Sequence, residues 1–266
     1  MVKVIAAGTS FTFGSALHFY ERAKNNKELT FSNLEPIEYE NNVKNSYSSL
    51  LAKKFDGESV ILGTSGYYNS FLDSIVEIKK LVEQEPNAKI VLFQLANPER
   101  DFFIYNDIIY YLDIKNYNSF IDSKNKLIST LDNNIDKDDF TEKLDKDIEL
   151  YTYNEQQWRI NHTEYFIHKL NELNDYLINK GIILQIISYY NSYDSVLLKF
   201  PKNSFVIIHH NGIRYSNIFN FVNDNKLRIC DDIDITDDQH PNFKAHQIVA
   251  DVVYQNILKH PLYSTI

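Results

Sequence analysis

The stretch that decides the fold is VKVIAAGTSFTFG, residues 2–14. Residues 2–7 form a short apolar run with β-branched members, and the run stops at Gly8, which predicts a buried strand followed by a tight turn. Ser10 then stands at the carboxyl end of that strand, where a helix begins. Ligands of open α/β sheets bind at this edge. The stretch therefore predicts a serine hydroxyl at the ligand-binding edge of a sheet.

Further apolar runs repeat this strand pattern along the chain, at residues 60–62, 90–93 and 182–187 and, more weakly, at 205–208 and 227–230. Continuous apolar runs are typical of strands that are covered on both faces, as in a parallel sheet. Because helical patterns lie between the runs, the sequence predicts an α/β fold built as a three-layer α/β/α sandwich.

Apolar residues recur at helical spacing in three stretches: Phe71, Ile75, Ile78 and Val82; Phe166, Leu170, Leu173 and Leu177; and Phe243, His246, Ala250, Val253 and Ile257. This spacing places the members of each set on one face of a helix. We expect Asn69 and Ser70 to cap the first helix. Gly181 suits the end of the second helix, and Pro241 suits the first turn of the third.

The composition restricts the class of protein. Of the 266 residues, 44% are hydrophobic and 24% are charged, which is typical of a soluble globular protein. The 36 acidic side chains outnumber the 27 basic ones, so the chain has no basic excess for nucleic acid. No run approaches the ~20 apolar residues that span a bilayer, and residues 2–7 are too few for a signal peptide. We therefore expect a protein of the cytoplasm or of a virus particle.

Residues 101–155 interrupt the alternation of strands and helices and are rich in Asp, Asn, Lys and Tyr. A structureless loop of this length is unusual inside a compact domain. We therefore expect one domain over residues 1–266 that carries a partly helical insertion at about 101–155. The insertion is either a surface decoration or a lid or surface that binds an assembly partner.

A second candidate for chemistry lies just before the last predicted helix, where Asp237 precedes His240 by three residues. Across a turn, such an aspartate can bond the imidazole N–H, fix its tautomer and stabilise the imidazolium. Ser10 and His240 would meet only through the fold, as catalytic partners normally do. Ser10 and His240 each also have a simpler interpretation, in which the residue caps the start of a helix and has no catalytic role.

Together these stretches resemble the SGNH (GDSL-type) hydrolase family. Residues 8–14 match the family's first block, Gly-Asp-Ser-x-Thr-x-Gly, except that Thr9 replaces the aspartate. Residues 237–241 match its last block, Asp-x-x-His-Pro, and His246 stands where the family has a packing histidine in the final helix. The nucleophile elbow of other serine hydrolases, Gly-x-Ser-x-Gly, does not fit, because Thr12 stands where its second glycine belongs.

The two middle blocks of the family have weaker counterparts. Gly66 follows the second predicted strand, and Asn97 follows the third. Pro98 replaces the acidic neighbour that the family usually has beside its asparagine. The resemblance depends on the joint order of all four blocks, each of which stands at the end of a predicted strand.

The resemblance implies a mainly parallel sheet of about five strands in a flavodoxin-like order. It implies a catalytic triad of Ser10, His240 and Asp237. The oxyanion hole would consist of the backbone N–H groups of Ser10 and Gly66 and the side-chain amide of Asn97. No metal and no organic cofactor is expected.

The function that the resemblance implies is hydrolysis of a carboxylic ester, and the expected substrate is a small-molecule or saccharide ester. O-acetyl groups on a carbohydrate are favoured, because the sequence has no long apolar stretch suited to an acyl-chain tunnel. A thioesterase or lysophospholipase with the same triad is one alternative. The other is a structural or binding component of a virus particle or larger assembly. A composition rich in Asn, Lys, Ile and Tyr, typical of AT-rich genomes that include those of phages, keeps that alternative open.

Overall fold

A computed structural model describes the chain except for residues 9, 31–33, 63–70, 96–101, 106–107, 112–116, 133, 191–196, 236–237 and 266. The chain divides into two compact units. Met1–Ala96 and Leu170–Ile266 form the first unit, and Asn97–Lys169 form the second. The predicted insertion at 101–155 lies within the second unit.

The described elements alternate along the chain. The strands are β1 (Lys3–Ala7), β2 (Glu58–Leu62), β3 (Ala88–Leu95), β4 (Phe102–Tyr105), β5 (Ile108–Tyr111), β6 (Ile183–Ser188), β7 (Ile208–His210) and β8 (Ile213–Tyr215). The helices are α1 (Ser10–Phe13), α2 (Phe19–Lys24), α3 (Pro36–Asn45), α4 (Tyr47–Lys53), α5 (Phe71–Gln84), α6 (Tyr117–Thr130), α7 (Lys137–Asn179), α8 (Ile218–Asp224) and α9 (Phe243–Leu258). Short 3-10 helices cover Ile229–Asp231 and Tyr263–Thr265.

The central sheet of the first unit has four strands within the described ranges, in the order β2-β1-β3-β6, and all neighbours are parallel. The four stronger apolar runs are therefore confirmed as strands, one fewer within the described residues than the five or so that the resemblance implies. Alternate residues of β1 face opposite sides, and Val4, Ile5, Ala6 and Ala7 are all fully buried. Both faces of the sheet are thus covered, which is compatible with a three-layer sandwich.

The two weaker runs do not form strands of this sheet. Phe205 makes one parallel bridge to Ile186, and the chain then enters the antiparallel hairpin of β7 and β8. The hairpin turns at Asn211 and Gly212, which both have positive φ, as a two-residue turn of type I′ requires. The other run makes a bridge from Arg228 to Pro241 and continues into the 3-10 helix, so it was wrongly predicted as a possible strand.

The predicted apolar faces of α5 and of the last turns of α7 are largely confirmed. In α5, Ile75, Ile78 and Val82 are buried, while the predicted cap at Asn69 and Ser70 lies outside the described residues. The last turns of α7 are buried through Leu170, Leu173 and Leu177, and Gly181 ends the run with a positive φ of 69°.

Two predictions for the last helix were wrong. Phe243 is 40% exposed, whereas the other members of the predicted face are buried: His246, Ala250, Val253 and Ile257. The cap of α9 is Asn242, whose side chain accepts a hydrogen bond from the N–H of Ala245 at 2.9 Å. Pro241 therefore precedes the cap and does not occupy the first turn, because the asparagine side chain competes better for the first free amides.

The second unit has its own apolar core around Phe140, Leu144 and Trp158, which are all fully buried. The antiparallel pair β4–β5 and the helix α6 belong to this unit, as does most of α7. The backbone of α7 is interrupted at Asn154, where φ is −152° and ψ is 67°. Among the described helices of the chain, none combines the length and apolar character that crossing a bilayer needs.

Candidate active site

The turn that carries Ser10 is packed too closely for a side chain at Gly8. A Cβ atom on Gly8 would lie 2.2 Å from Oγ1 of Thr12 and 2.7 Å from Cβ of Gln94. Ser10 itself is the first residue of α1, and its carbonyl accepts a hydrogen bond of 2.8 Å from the N–H of Ser15. Glycine therefore lets β1 pass directly into the helical turn that presents the Ser10 hydroxyl.

Three buried polar side chains hold this turn from beneath. Oγ1 of Thr12 lies 2.9 Å from the hydroxyl of Tyr47, and both hydroxyls donate to Oε1 of Gln94. All three residues are at most 1% exposed. Burial raises the pKa of the Tyr47 phenol, partly offset by the bond to Thr12, so the group stays a neutral donor. The network ties α1 to α4 and to β3.

The segment that carries His240 is fixed by backbone hydrogen bonds at the histidine and at the second residue after it. The carbonyl of His240 accepts a bond of 2.9 Å from the N–H of Ile229. Two residues further on, the N–H of Asn242 donates to the carbonyl of Leu227 at 2.8 Å. The imidazole therefore projects from a backbone that is anchored to the 227–231 segment.

Ser10 and His240 lie together at the carboxyl edge of the sheet. Nε2 of His240 is 3.1 Å from Oγ of Ser10, and Nδ1 of His240 is 3.0 Å from Oδ1 of Asp238. An ionised carboxylate can only accept a hydrogen bond. The Nδ1 atom of His240 therefore carries the proton, and this N–H donates a hydrogen bond to Asp238. The Nε2 lone pair is then left to accept the hydroxyl proton of Ser10.

The charge of Asp238 is controlled by its buried position and by His240. Burial alone raises the pKa of the Asp238 carboxyl, but hydrogen bonds from the His240 ring and backbone N–H and the charge of His240 outweigh it. The pKa therefore lies below its usual value. The backbone bond, from His240 N–H to Oδ1, is 2.7 Å long. Asp238 is consequently ionised at neutral pH and holds the histidine in one tautomer.

Of the predicted site residues, the structure brings together Ser10 and His240. Asp237, Gly66 and Asn97 lie outside the described residues, so their predicted roles stay predictions.

The carboxylate on Nδ1 of His240 belongs to Asp238, which the sequence analysis did not choose. Motif spacing points to the aspartate three residues before the histidine. The local signal that could have identified Asp238 is its position two residues before the histidine. An aspartate side chain in that position can also accept a hydrogen bond from the backbone N–H of the histidine.

Tyr189, an aromatic residue that the sequence analysis missed, lies close to the site. The ring of Phe11 stacks on that of Tyr189, with centroids 3.6 Å apart and planes at 16°. The Phe11 ring also contacts the ring of His240, with the two centroids 4.8 Å apart. Tyr189 directly follows β6, so its place at the end of a predicted strand was the signal that could have identified it.

His246 lies behind the site as a buried, neutral residue. Its Nδ1 atom accepts a 3.0 Å hydrogen bond from the N–H of Tyr47, the first residue of α4. Burial, with a smaller contribution from the charge of His240, lowers the pKa of His246 to about 3. His246 therefore stabilises the start of α4 and has no free lone pair for proton transfer at Ser10.

No protein-family model matches the chain, and no curated protein matches it.

Proposed function

We propose that this protein is a serine esterase that hydrolyses a carboxylic ester through Ser10, His240 and Asp238. The observation that supports the proposal is the continuous hydrogen-bonded series from Oγ of Ser10 through the imidazole to Oδ1 of Asp238. A nucleophile, a base and a group that orients the base are the three parts that this chemistry needs. The resemblance of residues 8–14 to the first SGNH block is consistent with it.

In the acylation step, Oγ of Ser10 attacks the ester carbonyl carbon while Nε2 of His240 takes the hydroxyl proton. The hydrogen bond from Nδ1–H to Asp238 stabilises the imidazolium that forms. Collapse of the tetrahedral intermediate breaks the carbon–oxygen bond to the alcohol. His240 returns the proton to the departing alkoxide, and the acyl group remains on Ser10.

In the deacylation step, His240 acts as a base a second time. It removes a proton from a water molecule that attacks the acyl-serine carbonyl. The second tetrahedral intermediate expels Oγ of Ser10, which regains its proton from His240. The products are the free carboxylic acid and the unmodified enzyme.

The oxyanion of both intermediates needs donors at the sheet edge. Ser10 begins a helical turn, and the first N–H groups of a helix have no acceptor within it. We assign the Ser10 N–H to the oxyanion, together with the Gly66 N–H and the Asn97 amide that the family resemblance implies. Loss of one such donor typically lowers turnover by ~10²–10³.

We propose a short acyl group on a saccharide as the substrate, with O-acetyl the first choice. The absence of a long apolar stretch in the sequence argues against a tunnel for a fatty acyl chain. A thioesterase or lysophospholipase would use the same three residues and differ only in the surrounding pocket.

The experiment is a comparison of kcat/KM for a set of esters. It uses p-nitrophenyl acetate, p-nitrophenyl palmitate, an acetylated xylo-oligosaccharide, acetyl-CoA and a lysophospholipid. We expect hydrolysis of both acetate esters, dependent on Ser10, and little activity on the palmitate ester. Hydrolysis of the lipid or the thioester alone would transfer the assignment to that class. A folded protein inactive on every compound would contradict the esterase assignment.

A second candidate function is binding to a partner through the second unit. Ser10, Asp238 and His240 all belong to the first unit, and Asn97 is the one residue of 97–169 that the proposed ester site uses. These residues nevertheless form their own core around Phe140. We propose that this unit, which contains the predicted insertion at 101–155, binds an assembly partner within a virus particle or larger assembly. This function would stand alone if the ester panel gave no turnover.

A further inference from the structure

Tyr189 occupies a fixed position where three segments of the first unit meet. Its N–H donates a hydrogen bond of 2.9 Å to the carbonyl of Leu95 at the end of β3. Its carbonyl accepts from the N–H of Phe219, also at 2.9 Å. The side chain is only 1% exposed. Both the backbone and the ring of Tyr189 are therefore held within the end of the sheet.

The side chain of Tyr189 contacts the immediate neighbours of both reacting groups. Its ring stacks on Phe11, the residue directly after Ser10. Its hydroxyl donates a hydrogen bond of 3.0 Å to the carbonyl of Gln239, the residue directly before His240. One side chain thus spans the gap between two segments that are 230 positions apart in the chain.

We propose that Tyr189 is a positioning residue that sets the distance between Ser10 and His240. This inference rests on the proposed esterase function. The physical reason is that proton transfer requires hydrogen-bond distance, and a 1 Å displacement of a reacting group can lower the rate ~10²-fold. The ring fixes the serine side through Phe11, and the hydroxyl fixes the histidine side through the Gln239 carbonyl.

The hydroxyl of Tyr189 is suited to this role because it remains a donor. Burial, followed by the nearby charges of Tyr190 and Asp238, raises the pKa of the Tyr189 phenol. A neutral phenol buried beside a carbonyl keeps its hydrogen bond across the working pH range. Removal of the hydroxyl alone leaves the Gln239 carbonyl without this donor and leaves the stacked ring in place.

The experiment measures kcat, KM and the rate of inactivation by a fluorophosphonate in Tyr189→Phe. We expect kcat on p-nitrophenyl acetate to fall about 10- to 100-fold. KM should stay within about 2-fold, because the buried hydroxyl donates to the Gln239 carbonyl and has no proposed role in binding the substrate. The inactivation rate should fall by the same factor as kcat, because both reactions depend on the approach of His240 to Ser10.

The matched control is Tyr215→Phe, a buried tyrosine of β8 whose hydroxyl accepts a hydrogen bond from Asn225 at 3.2 Å. We expect kcat of this variant to equal that of the wild type. A loss of kcat in both variants that follows their loss of thermal stability would overturn the proposal, because it would show a structural effect only.

A second variant, Phe11→Leu, covers the case in which Tyr189→Phe does not fold. It keeps an apolar side chain and removes the stacked ring, and we expect the same fall in kcat with an unchanged KM. Wild-type kcat and inactivation rate in either folded variant would overturn the positioning role. An inactive and unlabelled wild type would instead contradict the esterase function itself, so the two failures are distinguishable.

Discussion

Nε2 of His240 lies 3.1 Å from Oγ of Ser10, although 230 positions separate the two residues in the chain. Each residue is held by its own set of contacts. The serine turn depends on the buried Thr12, Tyr47 and Gln94 side chains, and the histidine segment depends on backbone bonds to residues 227–231. The pair is therefore a product of the tertiary fold and not of a local motif.

The identity of the acid gives the first prediction. Asp238→Asn should lower kcat on p-nitrophenyl acetate by roughly 10²–10⁴-fold, because an amide no longer fixes the tautomer or stabilises the imidazolium. Asp237→Asn serves as the matched variant and should retain most of the activity. Steady-state kinetics on both proteins decides the matter. A large loss in Asp237→Asn with a small loss in Asp238→Asn would restore the assignment from motif spacing.

The tight packing at Gly8 gives the second prediction. Gly8→Ala should destabilise the protein by about 1–3 kcal/mol and lower esterase activity, because the new Cβ pushes on Thr12 and Gln94 beneath Ser10. Gly212→Ala is the control, since its φ is +79° but no atom beyond its two chain neighbours lies within 4 Å of the new Cβ. That variant should lose about 1–2 kcal/mol from backbone strain alone.

Urea unfolding and kinetics on both glycine variants test this prediction. The activity measured per folded molecule should fall in Gly8→Ala and remain unchanged in Gly212→Ala. Equal activity in the two variants would show that the turn under Ser10 tolerates a side chain.

The buried His246 gives the third prediction. Its folded pKa of about 3 lies below the ordinary value of 6.5, so the unfolded chain binds a proton at a higher pH than the folded one. Stability is therefore lost as the pH falls from 6.5 towards 3. Between about pH 7 and about pH 5 this residue should lower the free energy of unfolding by about 2 kcal/mol.

The test is urea unfolding of the wild type and of His246→Asn at both pH values. Asparagine keeps an acceptor for the N–H of Tyr47 and does not titrate. The free energy of unfolding should depend less on pH in the variant, by about 2 kcal/mol over this interval. The same pH dependence in both proteins would contradict the assignment.

Much of the first unit could be predicted from sequence, because its strongest signals are local. Continuous apolar runs predict buried parallel strands, and four of them form the central sheet. The run at 205–208 was misjudged because the Asn211-Gly212 turn that follows it favours a hairpin. Phe243 was misjudged because helical spacing does not show which end of an apolar face reaches the surface.

The site was predictable only in part, for a different physical reason. Ser10 and His240 could be proposed because each stands in a recognisable local pattern. Asp238 could not, because the choice between neighbouring aspartates depends on the backbone path through the turn. Tyr189 carries no motif, and its role follows from contacts with Phe11 and Gln239 that exist only in the folded chain.

The measurement that tests the central claim most directly is mass spectrometry after treatment with a fluorophosphonate probe. The account predicts one covalent adduct per wild-type chain, located on Ser10 by peptide sequencing, with fluoride as the leaving group. Ser10→Ala should remain unmodified under the same conditions. A folded wild type that stays unlabelled while a control serine esterase reacts, or a Ser10→Ala protein that reacts equally well, would contradict the claim.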